Sequence, residues 1–370
     1  MTTTTTTPST GSSGDGPRLS SSSLLTGSLP RSFAPLLLAG TAVVVGGALF
    51  ALGLFHLVSF AVLTAGVYLI AITVASRAVE GGRKAKDRLV TGVVYCCFGL
   101  AMAPLISLLW TVLVNGLKRF DGYFLTVSMN GVIPSMDAGG VYHAIVGTLV
   151  ITGVAALISI PIGLLAAIYL VEYGKGRLKQ AITFFVDVMT GIPSIVAGLF
   201  VVALWIMIFG PGNTSGLAGA ISLSVLMIPV VVRSSEEMLR LVPNELREAS
   251  YALGVPKWLT IVKVVLPTAI AGITTGIMLA LARVIGETAP LILTAGIAST
   301  RINANPFEGQ MMSLPVFIYQ QVRAMGSSGD AGIYAEERAW AAALTLILIV
   351  MLLFFAARLI SRLFAPKLGR

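Results

Sequence analysis

The sequence predicts an all-α integral membrane protein with about eight transmembrane helices, and three features of the 370-residue chain support this fold class. Charged residues make up 11% of the chain and hydrophobic residues 56%, whereas soluble domains carry roughly 25% charged residues. Several apolar runs reach the ~20 residues that a helix needs to cross a bilayer. These runs are continuous rather than alternating, so helices rather than a closed barrel satisfy the backbone polar groups within lipid.

The first 34 residues differ in composition from the rest of the chain. Thr, Ser, Gly and Pro dominate residues 1–34, and a segment of this kind cannot bury enough apolar surface to fold. A charged start followed by a short apolar stretch is absent, so no cleavable signal peptide is evident. We therefore expect residues 1–34 to form a disordered cytoplasmic tail.

Two helices are predicted directly after this tail, and six more follow them. The apolar run 35–76 is too long for one helix and has the length of two, with a tight turn near His56. The remaining spans are expected over residues 89–114, 142–170, 181–209, 217–232, 266–290 and 340–360.

The distribution of Lys and Arg sets the orientation of these spans. With the N-terminus inside, the inner segments hold nineteen of the 25 Lys and Arg residues and the outer segments hold five. Inner loops of membrane proteins carry an excess of positive residues, so this asymmetry predicts an N-in and C-in topology. The net charge of +9 then reflects topology, and we expect no nucleic-acid partner. The adjacent Cys96 and Cys97 lie in an apolar run and indicate neither a disulfide framework nor a metal site.

The inner segment between the sixth and seventh predicted spans carries the most informative motif. Acidic residues in a first turn, and apolar residues at Leu246, Ala249 and Leu253, predict a short amphipathic helix. Gly254 is placed to end this helix and Pro256 prevents its continuation. A short helix held parallel to the membrane between two spans is a suitable lever for a partner protein.

This segment resembles the cytoplasmic loop of binding-protein-dependent ABC importer permeases, whose pattern is EAA, three residues, Gly, nine residues, Ile, one residue and Leu-Pro. Ser250 stands at the second Ala of that pattern and Val264 at the Ile. Five positions match at the required spacing: Glu248, Ala249, Gly254, Leu266 and Pro267. In that family the loop forms the coupling helix, so the resemblance implies that Glu248, Ala249 and Gly254 couple this chain to an ATPase. The chain has no G-x-x-x-x-G-K-[ST] loop, so we expect a transport subunit that is not itself an enzyme, with ATPase activity in separate subunits.

The seventh predicted span contains two charged residues, which are costly within lipid and mark protein interiors or pathways. Rotation of ~100° per residue places Gly272, Gly276, Ala280, Arg283 and Glu287 on one narrow stripe, and the small residues there allow close helix packing. Two interpretations stay open. The two charges neutralise each other and fix the packing of the helix, or they line the route of an anion, for which arginine offers a planar fork of donors.

Two segments resemble the permeases of phosphate-specific transporters, of the PstA type more than the PstC type. They are ARVIGETAP at residues 282–290 and GIPSIVAGLF at residues 191–200. The resemblance implies transport of inorganic phosphate in a bacterial plasma (inner) membrane, without a cofactor. It also implies three kinds of partner: ATP-binding subunits, a second permease subunit and an external phosphate-binding protein.

Permeases of this family typically have six spans, which suggests a division of the chain into four parts. These are the tail 1–34, two extra transmembrane helices at 35–76, a segment 77–138 holding a cytoplasmic loop, the first core helix and an external loop, and the permease core 139–365.

Asp187 is a third candidate for the substrate pathway, one turn before a helix break predicted at Pro193. It caps the break, makes a structural hydrogen bond or faces the pathway. His143 is interpreted as an interfacial residue at the outer edge of its span.

Three alternative functions remain. The first is the same machine for another oxyanion or solute. The second is an ion-coupled secondary carrier that uses Arg283, Glu287 and Asp187 as a charge relay, although no inverted repeat favours it. The third is a scaffold without transport.

Overall fold

The computed structural model describes residues 29–30, 32–297 and 299–364, and the regular structure in that part of the chain is entirely helical, which confirms the predicted fold class. A π-helical segment, Tyr169–Tyr173, continues α5, and a second, Ile261–Val265, joins α10 to α11. The α-helices are α1 (Phe33–Ala51), α2 (Leu57–Val79), α3 (Gly82–Gly116), α4 (Gly122–Thr126), α5 (Tyr142–Ile168), α6 (Gly176–Gly191), α7 (Ser194–Phe209), α8 (Gly216–Arg240), α9 (Asn244–Ala252), α10 (Lys257–Thr260), α11 (Leu266–Ile285), α12 (Ala289–Thr294), α13 (Leu314–Ala324) and α14 (Asp330–Phe364).

Seven helical stretches in the described residues are long and apolar enough to cross a membrane. An eighth crossing results if α6 and α7, which are bent by 108° at their junction, form one broken span. The prediction of about eight spans is therefore confirmed. Several boundaries were wrong, among them two helix ends: α8 continues to Arg240 instead of ending at residue 232, and α14 begins at Asp330 instead of residue 340. The apolar run that predicts a span ends at the first charged residues, whereas the helix itself continues into the polar sequence beyond them.

The described residues form two compact units that divide at Leu108. In the first unit, α1 ends at Ala51 and α2 begins at Leu57, with His56 at its N-cap, which confirms the predicted turn. Most of the predicted disordered tail, residues 1–28 and 31, lies outside the described residues.

Glu80 joins three segments of the first unit at the turn between α2 and α3. Its carboxylate accepts hydrogen bonds from Arg88 Nη2 at 2.9 Å, from the Leu29 N–H at 2.8 Å and from Ser76 Oγ at 2.8 Å. The hydrogen bond from Arg88, followed by that from the Leu29 N–H, lowers the pKa of Glu80 to about 2. The turn is thus held by a carboxylate that stays ionised at neutral pH.

In the second unit, α5 and α8 pack side by side and run in the same direction. A Cβ atom at Gly163 would lie 2.7 Å from Val231, and one at Gly219 would lie 3.6 Å from Ile151. Both contacts have the same offset along the sequence, as parallel helices require. The main apolar core forms around this pair and includes Phe124, Ala155, Leu223, Met227, Val284, Leu291, Met311, Leu314 and Phe317.

The segment after α12 covers the first turns of α5 and α8. The Ser215 N–H donates to the Thr294 carbonyl at 3.1 Å, and the Leu217 N–H donates to the Pro306 carbonyl at 2.7 Å. The Leu314 N–H donates to Thr148 Oγ1 of α5 at 2.7 Å. These bonds satisfy amide groups at helix starts that otherwise lack partners.

Candidate coupling loop and transport pathway

The loop between α8 and α11 folds as the motif predicts. α9 follows Pro243 and spans Asn244–Ala252, and Gly254 adopts the left-handed φ of +77° that favours glycine after a helix end. Pro256 then stands at the N-cap of α10. The helix, the terminating glycine and the second helix of the predicted loop are therefore present.

The faces of α9 are arranged so that its apolar side chains are available to a partner. Leu246 is 42% exposed and Leu253 is 84% exposed, and Ala249 is exposed as well. The side of α9 that packs against the rest of the chain instead carries Arg247 and Ser250. These apolar side chains are available for contact with another protein. Glu248 is also exposed on this helix, so the three residues expected to couple to an ATPase, including Gly254, are all accessible.

A second cluster of charged residues lies in the last third of α8, where sequence reasoning placed only a loop. Glu236 is buried, with 5% of its side chain exposed, and accepts from Arg233 at 2.8 Å and from Arg240 at 2.5 Å. Arg233 also pairs with Asp187 of α6. Asp187 therefore makes an ion pair, and its partner Arg233 is a residue that sequence reasoning missed. The signal was the i, i+3 and i+4 spacing of opposite charges around Glu236.

The two segments that resemble phosphate permeases meet in the structure. The break between α6 and α7 falls at Ile192 and Pro193, as predicted from the proline. One turn further on, a Cβ atom at Gly198 would lie 2.8 Å from the Cα of Pro290, at the start of α12. Only a glycine allows the two backbones to approach so closely here.

The stripe of small residues on α11 packs against α8. A Cβ atom at Gly272 would collide with Met238 and one at Gly276 with Ser234, which confirms the expected close packing. The two contacts also set the antiparallel register, in which Arg233 lies level with Ile277. Arg283 is six residues beyond that level, about 9 Å along the helix at ~1.5 Å per residue.

The expectation that Arg283 and Glu287 share one helical face is wrong. α11 ends at Ile285, and the Glu287 N–H donates to the Val284 carbonyl at 3.1 Å in a turn. The Arg283 side chain is exposed, and within the described part of the chain it has no ion pair or hydrogen bond, with Glu287 or otherwise. A new helix, α12, begins at Ala289 with Thr288 at its N-cap. The chain therefore changes direction before α11 can extend as far as Glu287.

His143 is buried rather than interfacial, with 1% of its surface exposed. Its ring meets Phe317 edge-on at 5.5 Å between centroids, and neither ring nitrogen has a hydrogen-bond partner among the described residues. Packing by α13, which hydropathy did not predict, explains the burial.

Comparison with known proteins matches the sequence to one family of membrane components. The sequence profile of the family described as "Binding-protein-dependent transport system inner membrane component" matches residues 159–370. The phosphate transport system permease protein PstA 1 of Mycobacterium tuberculosis is 50% identical over 75% of this chain and 89% of its own length.

Two further relatives carry the same type of name. PstA of Mycobacterium leprae is 47% identical over 75% of this chain and 89% of its own length. PstA of Pasteurella multocida is 36% identical over 75% of this chain and 95% of its own length. Together with the candidate spans of the structure, these matches lead to one conclusion: the chain belongs to the family of binding-protein-dependent transport system inner membrane components, as a multi-pass permease subunit.

Proposed function

We propose that this chain is a permease subunit of an ATP-driven importer that moves inorganic phosphate into the cell across a bacterial plasma membrane. The observation that carries the proposal is the 36–50% identity to phosphate transport system permeases over three quarters of the chain. The chemistry of α11 agrees with it. Arg283 is exposed and unpaired within the described residues, so its fork of donors is available to an oxyanion.

The motor of the importer resides in other chains. ATP-binding subunits contact the exposed apolar face of α9 through Glu248, Ala249 and the turn at Gly254. A second permease subunit completes the channel, and an external phosphate-binding protein delivers the ion. Closure of the ATP-binding subunits moves α9 and switches the spans between inward-open and outward-open arrangements.

The proposed division of the chain follows from the same reasoning. Residues 139–365 form the permease core, residues 77–138 contribute its first helix, and residues 35–76 add two helices before it. The family profile begins at residue 159 and supports the position of the core.

Two alternatives remain, each with its own consequence. A permease of the same family for another oxyanion or solute would keep α9 and Gly254 but would not transport phosphate. A secondary carrier would need a continuous relay through Asp187, Arg283 and Glu287. Asp187 instead pairs with Arg233, which lies about 9 Å along the helix axis from the position of Arg283. This pairing favours the importer over a relay through all three residues.

Uptake in cells tests the substrate. Labelled phosphate and labelled sulfate are given to phosphate-starved cells that lack this gene and other phosphate carriers, with and without the wild-type copy. We expect the copy to restore phosphate uptake and leave sulfate uptake unchanged. Unchanged phosphate uptake, with the protein present in the membrane, would exclude phosphate as the substrate.

A further inference from the structure

One arginine, on the side of α9 that packs against the rest of the chain, contacts two other elements of the second unit. Arg247 Nε donates to Glu172 Oε1 at 3.0 Å, and Nη2 lies 2.9 Å from the same oxygen in the ion pair. Nη2 also donates to the Leu239 carbonyl at 2.9 Å, and Nη1 donates to the Val242 carbonyl at 2.6 Å. Glu172 lies in the π-helical continuation of α5, whereas Leu239 lies in the last turn of α8 and Val242 follows that helix. A single guanidinium thus fastens α9 to both of the parallel helices at the centre of the unit.

This ion pair is shielded from water, unlike most charges on the same loop. Its side chains are 12% exposed for Arg247 and 5% exposed for Glu172. A charged pair in such a place is held by well-formed hydrogen bonds, and removing one partner leaves an uncompensated charge. Arginine suits the position because the carbonyl groups at a helix end attract cations and lack partners of their own.

The backbone at Glu172 has a second attachment. Lys257 Nζ of α10 donates to the Glu172 carbonyl and lies 4.9 Å from the centre of the Tyr173 ring. On the same side of α9, three residues beyond Arg247, Ser250 and Thr260 are hydrogen bonded at 2.9 Å. Glu172 therefore connects α5 to α9 through its side chain and to α10 through its carbonyl.

Both connections involve π-helical backbone. Glu172 lies in the segment Tyr169–Tyr173, and Thr260 directly precedes the segment Ile261–Val265. Wider helical turns of this kind are rare in proteins and occur at functional sites. Here the first segment continues α5 and the second leads into α11, so each lies at or next to a residue that contacts α9.

We propose that the Glu172–Arg247 ion pair transmits movement of α9 to α5 and α8. Glu172 and Arg247 are then positioning residues for transport. The proposal rests on the proposed function, because α9 must be the helix on which the ATP-binding subunits act. Without the pair, α9 still binds those subunits through its exposed face, but its displacement no longer moves the two central helices. ATP hydrolysis then continues with less phosphate transported.

The test compares phosphate uptake with ATP hydrolysis in the purified complete importer, reconstituted in lipid vesicles with its binding protein. The variants are Glu172→Gln, Arg247→Gln and the double variant, each assayed at equal amounts of assembled complex. Lys175→Gln is the matched control, because Lys175 is exposed three residues from Glu172 and makes no hydrogen bond or ion pair among the described residues.

We expect phosphate transported per ATP hydrolysed to fall about tenfold in either single variant, the change that corresponds to removing one charge-assisted hydrogen bond. The double variant should be no worse than the single ones, because the two residues act as a unit. A purely structural role would lower the yield of complex and leave the ratio of phosphate transported to ATP hydrolysed unchanged, and that result would overturn the proposal. A loss in the double variant equal to the sum of the losses in the two single variants would also overturn it. A wild-type complex that hydrolyses ATP without moving phosphate would instead contradict the proposed function.

Discussion

The charged residues Arg233, Glu236 and Arg240 of α8, together with Asp187 of α6, form a group called here the inner cluster. Arg233 of the inner cluster and Arg283 near the C-terminal end of α11 both lie within a helix, but among the described residues only the first of the two has carboxylate partners. Arg233 contacts two carboxylates, Asp187 and Glu236, and only a third of its side chain is exposed. Arg283 is exposed and has no ion-pair partner among the described residues. The first arginine is neutralised by carboxylates of its own chain, whereas the second has no carboxylate partner among the described residues.

The difference suggests separate roles for the two levels of the molecule. An arginine that is already paired holds helices together, here α6 and α8, and releases its charge only if the pair opens. An unpaired arginine on the exposed side of a membrane helix requires a ligand or a partner subunit, since an isolated charge in lipid costs ~2.5–3.5 kcal/mol or more.

A large effect is expected from removing the free charge of Arg283. Arg283→Ala should reduce phosphate uptake in cells at least about tenfold, because the substitution removes a charge-assisted hydrogen bond to the anion. The amount of assembled complex should stay unchanged, since the Arg283 side chain makes no hydrogen bond or ion pair within the described residues. Arg283→Lys should retain part of the uptake. Normal uptake in Arg283→Ala would assign this residue to helix packing only.

Gly254→Asp provides the contrast to Arg283→Ala. An aspartate there adds a charge to the exposed turn and places a side chain on a backbone with φ of +77°. We expect the ATP-binding subunits to dock no longer, so that uptake is abolished while membrane insertion is retained. The ATP-binding subunits should then fail to co-purify with the variant. Co-purification of these subunits with Gly254→Asp would show that the turn is not a docking site.

The next effect concerns the stability of the inner cluster. Glu236→Ala removes the buried carboxylate shared by Arg233 and Arg240, both of which keep some access to water. We expect a decrease of about 2 kcal/mol in the free energy of unfolding, below the range for a fully buried pair. Thermal unfolding of the purified complex measures it. An unchanged unfolding temperature would mean that the cluster does not hold α8 in place.

A smaller effect is expected at the other carboxylate of the cluster. Asp187 is 59% exposed at its side chain, so Asp187→Asn should change stability by less than about 1 kcal/mol. Uptake should fall less than in Arg283→Ala. If Asp187→Asn abolished uptake with the complex intact, Asp187 would belong to the substrate pathway rather than to a structural pair.

The smallest effect on transport is expected in the first unit, outside the family match. Glu80→Gln should leave phosphate uptake unchanged and speed proteolysis near Leu29, because the residues before α1 lose their bond to the carboxylate. The pKa of Glu80 is lowered to about 2. The stabilisation contributed by the ionised Glu80 carboxylate is therefore complete above the ordinary pKa of a glutamate and is lost only as the pH falls toward 2. The difference from wild type should therefore be constant between about pH 6 and pH 8. Reduced uptake would link the first unit to transport.

Sequence reasoning recovered the elements that depend on local signals. Apolar runs gave the spans, Gly254 and Pro256 gave the end of α9, and Pro193 gave the break between α6 and α7. Each of these features is decided within a few neighbouring residues.

The missed features depend on contacts between distant segments. Arg233 was assigned to a loop because hydropathy ends at a charge, and its partner Asp187 is 46 residues away. The role of Arg247 requires Glu172, which is 75 residues away. His143 is buried by α13, a short helix too polar to be recognised as a span. No periodicity within one element reveals such pairings.

We expect ATP alone to drive phosphate through this permease, and vesicles containing the complete purified importer test this most directly. Labelled phosphate is presented with the binding protein on the outer side, ATP is supplied on the side of the ATP-binding subunits, and ionophores remove every ion gradient. The predicted result is phosphate accumulation that requires ATP and is unaffected by the ionophores. Accumulation that needs an ion gradient and proceeds without ATP would contradict the account and identify a secondary carrier.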